Sequence, residues 1–122
     1  HHVHADDVGQ AFIQAMVNRN VAIGESFHVV SRAALTLRGY AESMAEWFGQ
    51  PAKLRFVSLE EWRKMVSQED AVTTCDHISH SPNFSIAKAQ RLLNFQPRYS
   101  SLQAIRESIL WLMKNDTDWI SE

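Results

Sequence analysis

The chain has 122 residues, 45% of them hydrophobic and 21% charged, which is the balance of one globular domain and not of a disordered segment. Twelve basic residues against fourteen acidic ones leave a formal charge of -2; the basic residues are scattered, which excludes the polybasic surface that nucleic acid or an anionic membrane requires. No apolar run approaches the roughly 20 residues of a membrane helix, and the single cysteine, Cys75, excludes an internal disulfide and suits a reducing cytoplasm.

His1 and His2 open the sequence with no initiator Met before them, so it reads as a piece of a longer chain or as one carrying a tag remnant. No secretory leader is expected, because no charged region runs into an apolar stretch. His1 to His4 is a possible short strand. Asp6 to Arg19 then reads as a helix, with Asp6 or Asp7 as cap and Val8, Phe12, Ala15 and Met16 on one apolar face. Asn18, Asn20 and Gly24 end it.

Ser26–Val30 is β-branched and aromatic between Gly24 and Ser31, the signature of a strand. Thr36 caps a second helix to Phe48, with Leu37, Tyr40, Ala41, Met44, Ala45 and Phe48 facing inward, and Gly49 and Pro51 stop it. Lys53–Val57 alternates polar and apolar residues and reads as a half-buried strand. Ser58 and Glu61 form a capping box for a third helix to Val66. Ser67 to Pro82 is polar, shows no clear period and reads as a loop or extended segment. Ser85 caps a short helix, Ile86 to Leu93, with Asn94 as a left-handed stop and Pro97 beyond. Ser100 and Gln103 form a second capping box. The last helix points Leu102, Ile105, Ile109, Leu112 and Met113 inward; the tail after Asn115 is expected to fray, with Trp119 and Ile120 tucking back as the alternative.

Alternating strands and helices make an α/β class, yet two or three short strands are poor material for a complete sheet. Five segments give the pattern a family. His2-Val3-His4-Ala5-Asp6-Asp7-Val8 with Gln10-Ala11-Phe12 resembles the V-H-V-x-D-V-A-x-A segment of the extended short-chain dehydrogenases/reductases, the NAD-dependent epimerase/dehydratase family. Gly24-Glu25-Ser26-Phe27-His28-Val29-Val30 resembles their G-E-x-F-N-V-G strand. Leu35-Thr36-Leu37-Arg38 with Ala41-Glu42 is similar to their T-x-R-E-L-A-E helix. Ser85 through Pro97 resembles D-x-S-K-A-x-x-x-L-G-W-x-P, and the helix from Leu102 to Leu112 matches their closing helix, with Trp111 at its tryptophan.

The resemblance implies an α/β C-terminal fragment of a Rossmann-type protein. Residues 1–30 would close the Rossmann-type domain (short strand, helix, last strand), and 31–122 would be a small α/β substrate-binding lobe. It also implies NAD or NADP in the intact parent, a sugar-type small-molecule substrate and a cytoplasmic location. The family's G-x-x-G-x-x-G loop and Y-x-x-x-K pair are absent here: the four glycines are far apart, and Tyr40 and Tyr99 are followed four residues later by Met44 and Gln103. Hydride transfer needs a nicotinamide and an acid–base tyrosine, so no catalytic residue and no bound cofactor are expected in this chain. The segment before the Ser85 helix has no arginine with which nucleotide-sugar members grip a diphosphate.

Cys75, His77 and His80 spell C-x-H-x-x-H, one ligand short of a tetrahedral zinc site; no metal is expected. The segment reads either as a polar surface loop or as a substrate-lobe loop in which His77, His80 and Asn83 face the ligand. His4 is expected to bond neighbouring backbone, Trp47 and Trp111 to pack in the core, and Lys88 to face solvent. An exposed edge on the Phe27–Val30 strand and apolar helix faces would recruit a second copy, so a homo-oligomer, as a dimer, is expected. A stand-alone binding or oligomerisation module is the alternative to the enzyme-derived reading.

Overall fold

The computed structural model describes residues 1–80 and 83–115, so the expectation for the tail after Asn115, with Trp119 and Ile120, lies outside the described residues. Among the described residues, seven helices form and no β-strand. The expected α/β class with its sheet is therefore corrected to an all-helical one. The reason is visible in the segments that were to be strands. Residues 25–30 have no regular secondary structure, and Ser31 N–H donates to His2 O at 3.1 Å, but a sheet needs a ladder of such bonds along a neighbour. Phe27, Val29 and Val30 instead lay their side chains on the helical core. Residues 53–57 have none either, with Phe56 74% exposed.

The chain divides into two compact units: His1–Thr36 together with the chain from Asn83, and the segment from Leu37 between them. In the first unit, α1 (Ala5–Val17) and the single turn α2 (Arg19–Ala22) pack on α6 (Ala87–Leu93). Its core is Ala11, Ile86, Ala89, Leu93 and Phe95. Phe95 reaches that core because α6 stops abruptly. Asn94 takes φ 55°, a left-handed conformation that asparagine tolerates better than most residues. Phe95 N–H then reaches back to Ala89 O at 3.2 Å, turning its fully buried ring inward.

α1 is rotated from the face its periodicity predicts: Ala15 packs on the core and Val8 is half-buried, but Phe12 and Met16 turn outward. Asp7 and Ala11 are buried, whereas Phe12, Ile13, Met16 and Val17 are 69, 61, 78 and 74% exposed. Its cap is His4, whose Nδ1 accepts from Asp6 N–H at 3.1 Å, and neither Asp6 nor Asp7. α7 (Ser101–Asn115) begins at a complete capping box: Gln103 Oε1 accepts from Ser100 N–H at 2.7 Å and Ser100 Oγ from Gln103 N–H at 3.2 Å. It buries Ser101 and Ala104 and leaves Trp111 62% and Met113 46% exposed, so neither is a core residue.

The second unit holds α3 (Leu37–Trp47), α4 (Leu59–Arg63) and α5 (Gln68–Ser79). α3 ends as expected at Gly49, φ 65°. Gly49 N–H donates to Glu46 O at 3.0 Å and Gln50 N–H to Ala45 O at 2.9 Å, the two bonds of a Schellman stop. Ser58 Oγ accepts from Glu61 N–H at 3.1 Å and starts α4, while the Glu61 carboxylate turns away to Arg55 at 2.9 Å. The segment read as a loop is α5: Ser67 Oγ accepts from Asp70 N–H at 3.1 Å and opens a 12-residue helix. Only Ala71 and Cys75 of the described residues in this unit are buried.

Candidate functional site

The most organised side chains of the first unit gather where α1 meets the approach to α7. Asp7, one turn into α1, has no solvent exposure. Its carboxylate accepts from Arg98 N–H at 2.9 Å and Tyr99 N–H at 3.1 Å, with Arg98 Nε 3.7 Å away. A buried carboxylate is tolerated where its oxygens are satisfied and a cation is near. The consequence is a fixed path for residues 97–100.

His4 lies flat on the Tyr99 ring at 3.8 Å, and its Nε2 stands 2.7 Å from Glu107 Oε2. Because Nδ1 accepts from Asp6 N–H, the ring proton is on Nε2 and is donated to Glu107. Both ring nitrogens are thereby occupied, so His4 serves structure and not proton transfer. Below it the Ser31 and Ser101 hydroxyls meet at 2.6 Å, both buried, and both lie within hydrogen-bonding distance of Ala33 O, at 3.0 and 3.2 Å.

These bonds frame a cleft of about 310 Å³ between residues 32–35 and residues 97–103. Arg32 and Arg98 supply guanidinium groups, Leu35 and Leu102 an apolar wall, and Tyr99 an aromatic one. Arg32 is exposed and reaches Gln96 Oε1 at 3.3 Å. A cleft of this size with a few polar groups can hold a small polar molecule. Its lining offers no nucleophile beside a base, the pair that covalent catalysis requires. The second unit has a separate hollow of about 340 Å³ lined by Arg63, Val66, Gln68, Ala71 and Val72.

His77 and His80 belong to the second unit, on α5 and at its C-cap, and both are exposed. His80 Nδ1 lies 2.8 Å from Asp76 O, so this ring closes the helix end. Asn83, exposed, belongs to the first unit. Cys75 is buried, with Arg63 Nε donating to its Sγ at 3.2 Å, whereas His77 and His80 face solvent. The three residues of C-x-H-x-x-H therefore do not face one point. Lys88, expected in solvent, is tethered: its Nζ is 2.6 Å from Glu25 Oε2, donates to Ser26 O at 3.0 Å and lies over the Phe27 ring. The hydrogen bond from Lys88, and then its charge, hold the Glu25 carboxyl below the usual carboxylate range.

The chain's residues do not fit a nicotinamide dinucleotide. A pyrophosphate cradle needs glycines in a turn that opens a helix. Gly9 and Gly39 lie inside α1 and α3, and Gly24 and Gly49 follow the ends of α2 and α3. Sequence reasoning did not identify the cleft. Its two walls are more than sixty residues apart, and only the Ser100–Gln103 box marked where the second one begins. No family model, no curated protein and no solved structure matches the chain.

Proposed function

We propose that this chain is the substrate-side portion of an NAD(P)-dependent sugar or nucleotide-sugar epimerase, dehydratase or reductase, acting in the cytoplasm and not competent alone. The observation that carries the reading is the conduct of the Ser85–Pro97 motif. It makes a short helix with a left-handed stop, its Leu93 and Phe95 join Ala11 of the first motif in one core, and it delivers the chain to the cleft at residue 97. NAD or NADP and the acid–base tyrosine belong to the part of the enzyme outside these 122 residues. The free, buried thiol of Cys75 suits the reducing compartment.

In this reading the cleft takes the polar groups of a sugar or sugar phosphate, with Arg32 as its accessible cation. His77 and His80 in one unit, and Asn83 in the other, are further candidate contacts, each tested within its own unit. The experiment is an amide-shift titration of the 122-residue chain with free sugars, sugar phosphates and nucleotide sugars. Shifts confined to residues 32–35 and 97–103 are expected, with an Arg32→Ala variant binding about tenfold more weakly, the loss of one charge-assisted hydrogen bond. NAD and NADP are expected to leave the spectrum unchanged. Tight capture of either dinucleotide, hydride turnover by the chain alone, or silence toward every sugar overturns the proposal.

A further inference from the structure

We infer that α1 is the seam of a homodimer, paired antiparallel with α1 of a second copy across a two-fold axis between Phe12 and Ile13. The starting point is an inversion. In a self-sufficient helix the large apolar side chains face the core, yet α1 buries Asp7 and Ala11 and exposes Phe12, Ile13, Met16 and Val17. At 100° per residue these four, with Ala5 and Gly9, occupy an arc of roughly 140°, and the one charged residue within it, Asp6, stands at its N-terminal end. The exposed apolar residues of α7, by contrast, alternate with Arg106, Glu107 and Lys114.

Area, charge and shape each select a second copy as the occupant. Taking large side chains at about 150–200 Å² apiece, the four exposed residues present on the order of 500 Å² of apolar surface. With Ala5, Val8 and Gly9 alongside, the strip approaches the roughly 800 Å² that each partner gives a standard interface. Asp6 stands exposed at one end of the helix, 3.7 Å from Arg98 of its own chain, and Arg19, just past the other end, has no acidic partner among the described residues. A two-fold axis at the midpoint sets Asp6 against the second copy's Arg19, whereas parallel pairing sets like charges together.

The same axis places Gly9 opposite the second copy's Met16, the smallest residue of the strip against its longest. Nothing within the chain requires that glycine. Its φ is not positive, and a Cβ added there meets nothing within 4 Å. Glycine weakens an exposed helix relative to alanine, and a close-packed helix from a second copy gives it a reason. This inference is independent of the enzymatic reading.

Sedimentation velocity on the full chain from about 1 to 100 μM tests it, a range that spans modest affinities. The expected species has twice the 14.0 kDa chain mass. Met16→Lys charges a side chain that is 78% exposed, and Gly9→Leu fills the place of the facing methionine; both are expected to keep the helical circular dichroism and weaken association about tenfold or more. Arg19→Asp is expected to weaken it less. A monomer throughout the range overturns the inference and leaves the face to a different polypeptide. A dimer indifferent to both Met16→Lys and Gly9→Leu overturns it as well, because the seam is then elsewhere.

Discussion

Asp6 and Asp7 are chemically identical neighbours at the head of one helix, and the structure gives them unlike tasks. Asp6 is exposed and bonds the Tyr99 hydroxyl at 3.4 Å. Asp7 is wholly buried and holds two backbone N–H groups of the segment before α7. Asp7→Ala leaves those two buried backbone donors unsatisfied, and we expect it to cost about 2–4 kcal/mol of folding stability. Asp6→Ala should cost less than about 1 kcal/mol, because a surface carboxylate makes only screened contacts. Urea denaturation of the two variants decides the matter; equal losses would remove Asp7 from its anchoring role. The sequence favours a helix cap for either residue, and nothing local says that a partner for Asp7 waits some ninety positions on.

At the scale of the element, ends are more legible than faces. Gly49 and Asn94 take the left-handed conformations that their places after apolar runs imply, and the Ser58 and Ser100 boxes open helices where expected. The Ser100–Gln103 pair is reciprocal, so Gln103→Ala should frees Ser100 N–H and costs about 1 kcal/mol. Faster hydrogen exchange confined to the first turn of α7 would report it; unchanged exchange there would mean that the glutamine is idle. α5 carried the same kind of signal unread. Ser67 and Asp70 form its cap, and Ala71, Thr74, Cys75 and Ile78 fall at helical spacing, but the polar residues between them hide the period. Strands failed for a different reason: β-branched residues fit an extended backbone, while a sheet exists only where a second backbone pairs with the first.

For the whole molecule, the two units differ in how much they bury. The first has a contiguous apolar core around Phe95 and Leu93. The second buries only Ala71 and Cys75 among its described residues and leaves Leu37, Phe48, Leu54, Phe56, Leu59, Met65 and Val72 exposed. Local stability follows buried apolar contact. Amides of α3, α4 and α5 should therefore exchange by local opening at least about tenfold faster than those of α1 and α6. Equal protection measured by native-state hydrogen exchange would show that the second unit is held by contacts other than its own burial.

What this sequence determined by itself is where α3, α6 and α7 begin, the stops at Gly49 and Asn94, and the lack of a glycine cradle and of a tyrosine–lysine pair, because each depends on residues within a few positions of one another. Tertiary structure decided which face of α1 is inward, that residues 25–30 cover helices and pair in no sheet, and that residues 32–35 and 97–103 enclose a cleft. Those outcomes rest on packing and hydrogen bonds between distant segments, and the Asp7 carboxylate, the Ser31–Ser101 pair and the Phe95 ring supply them.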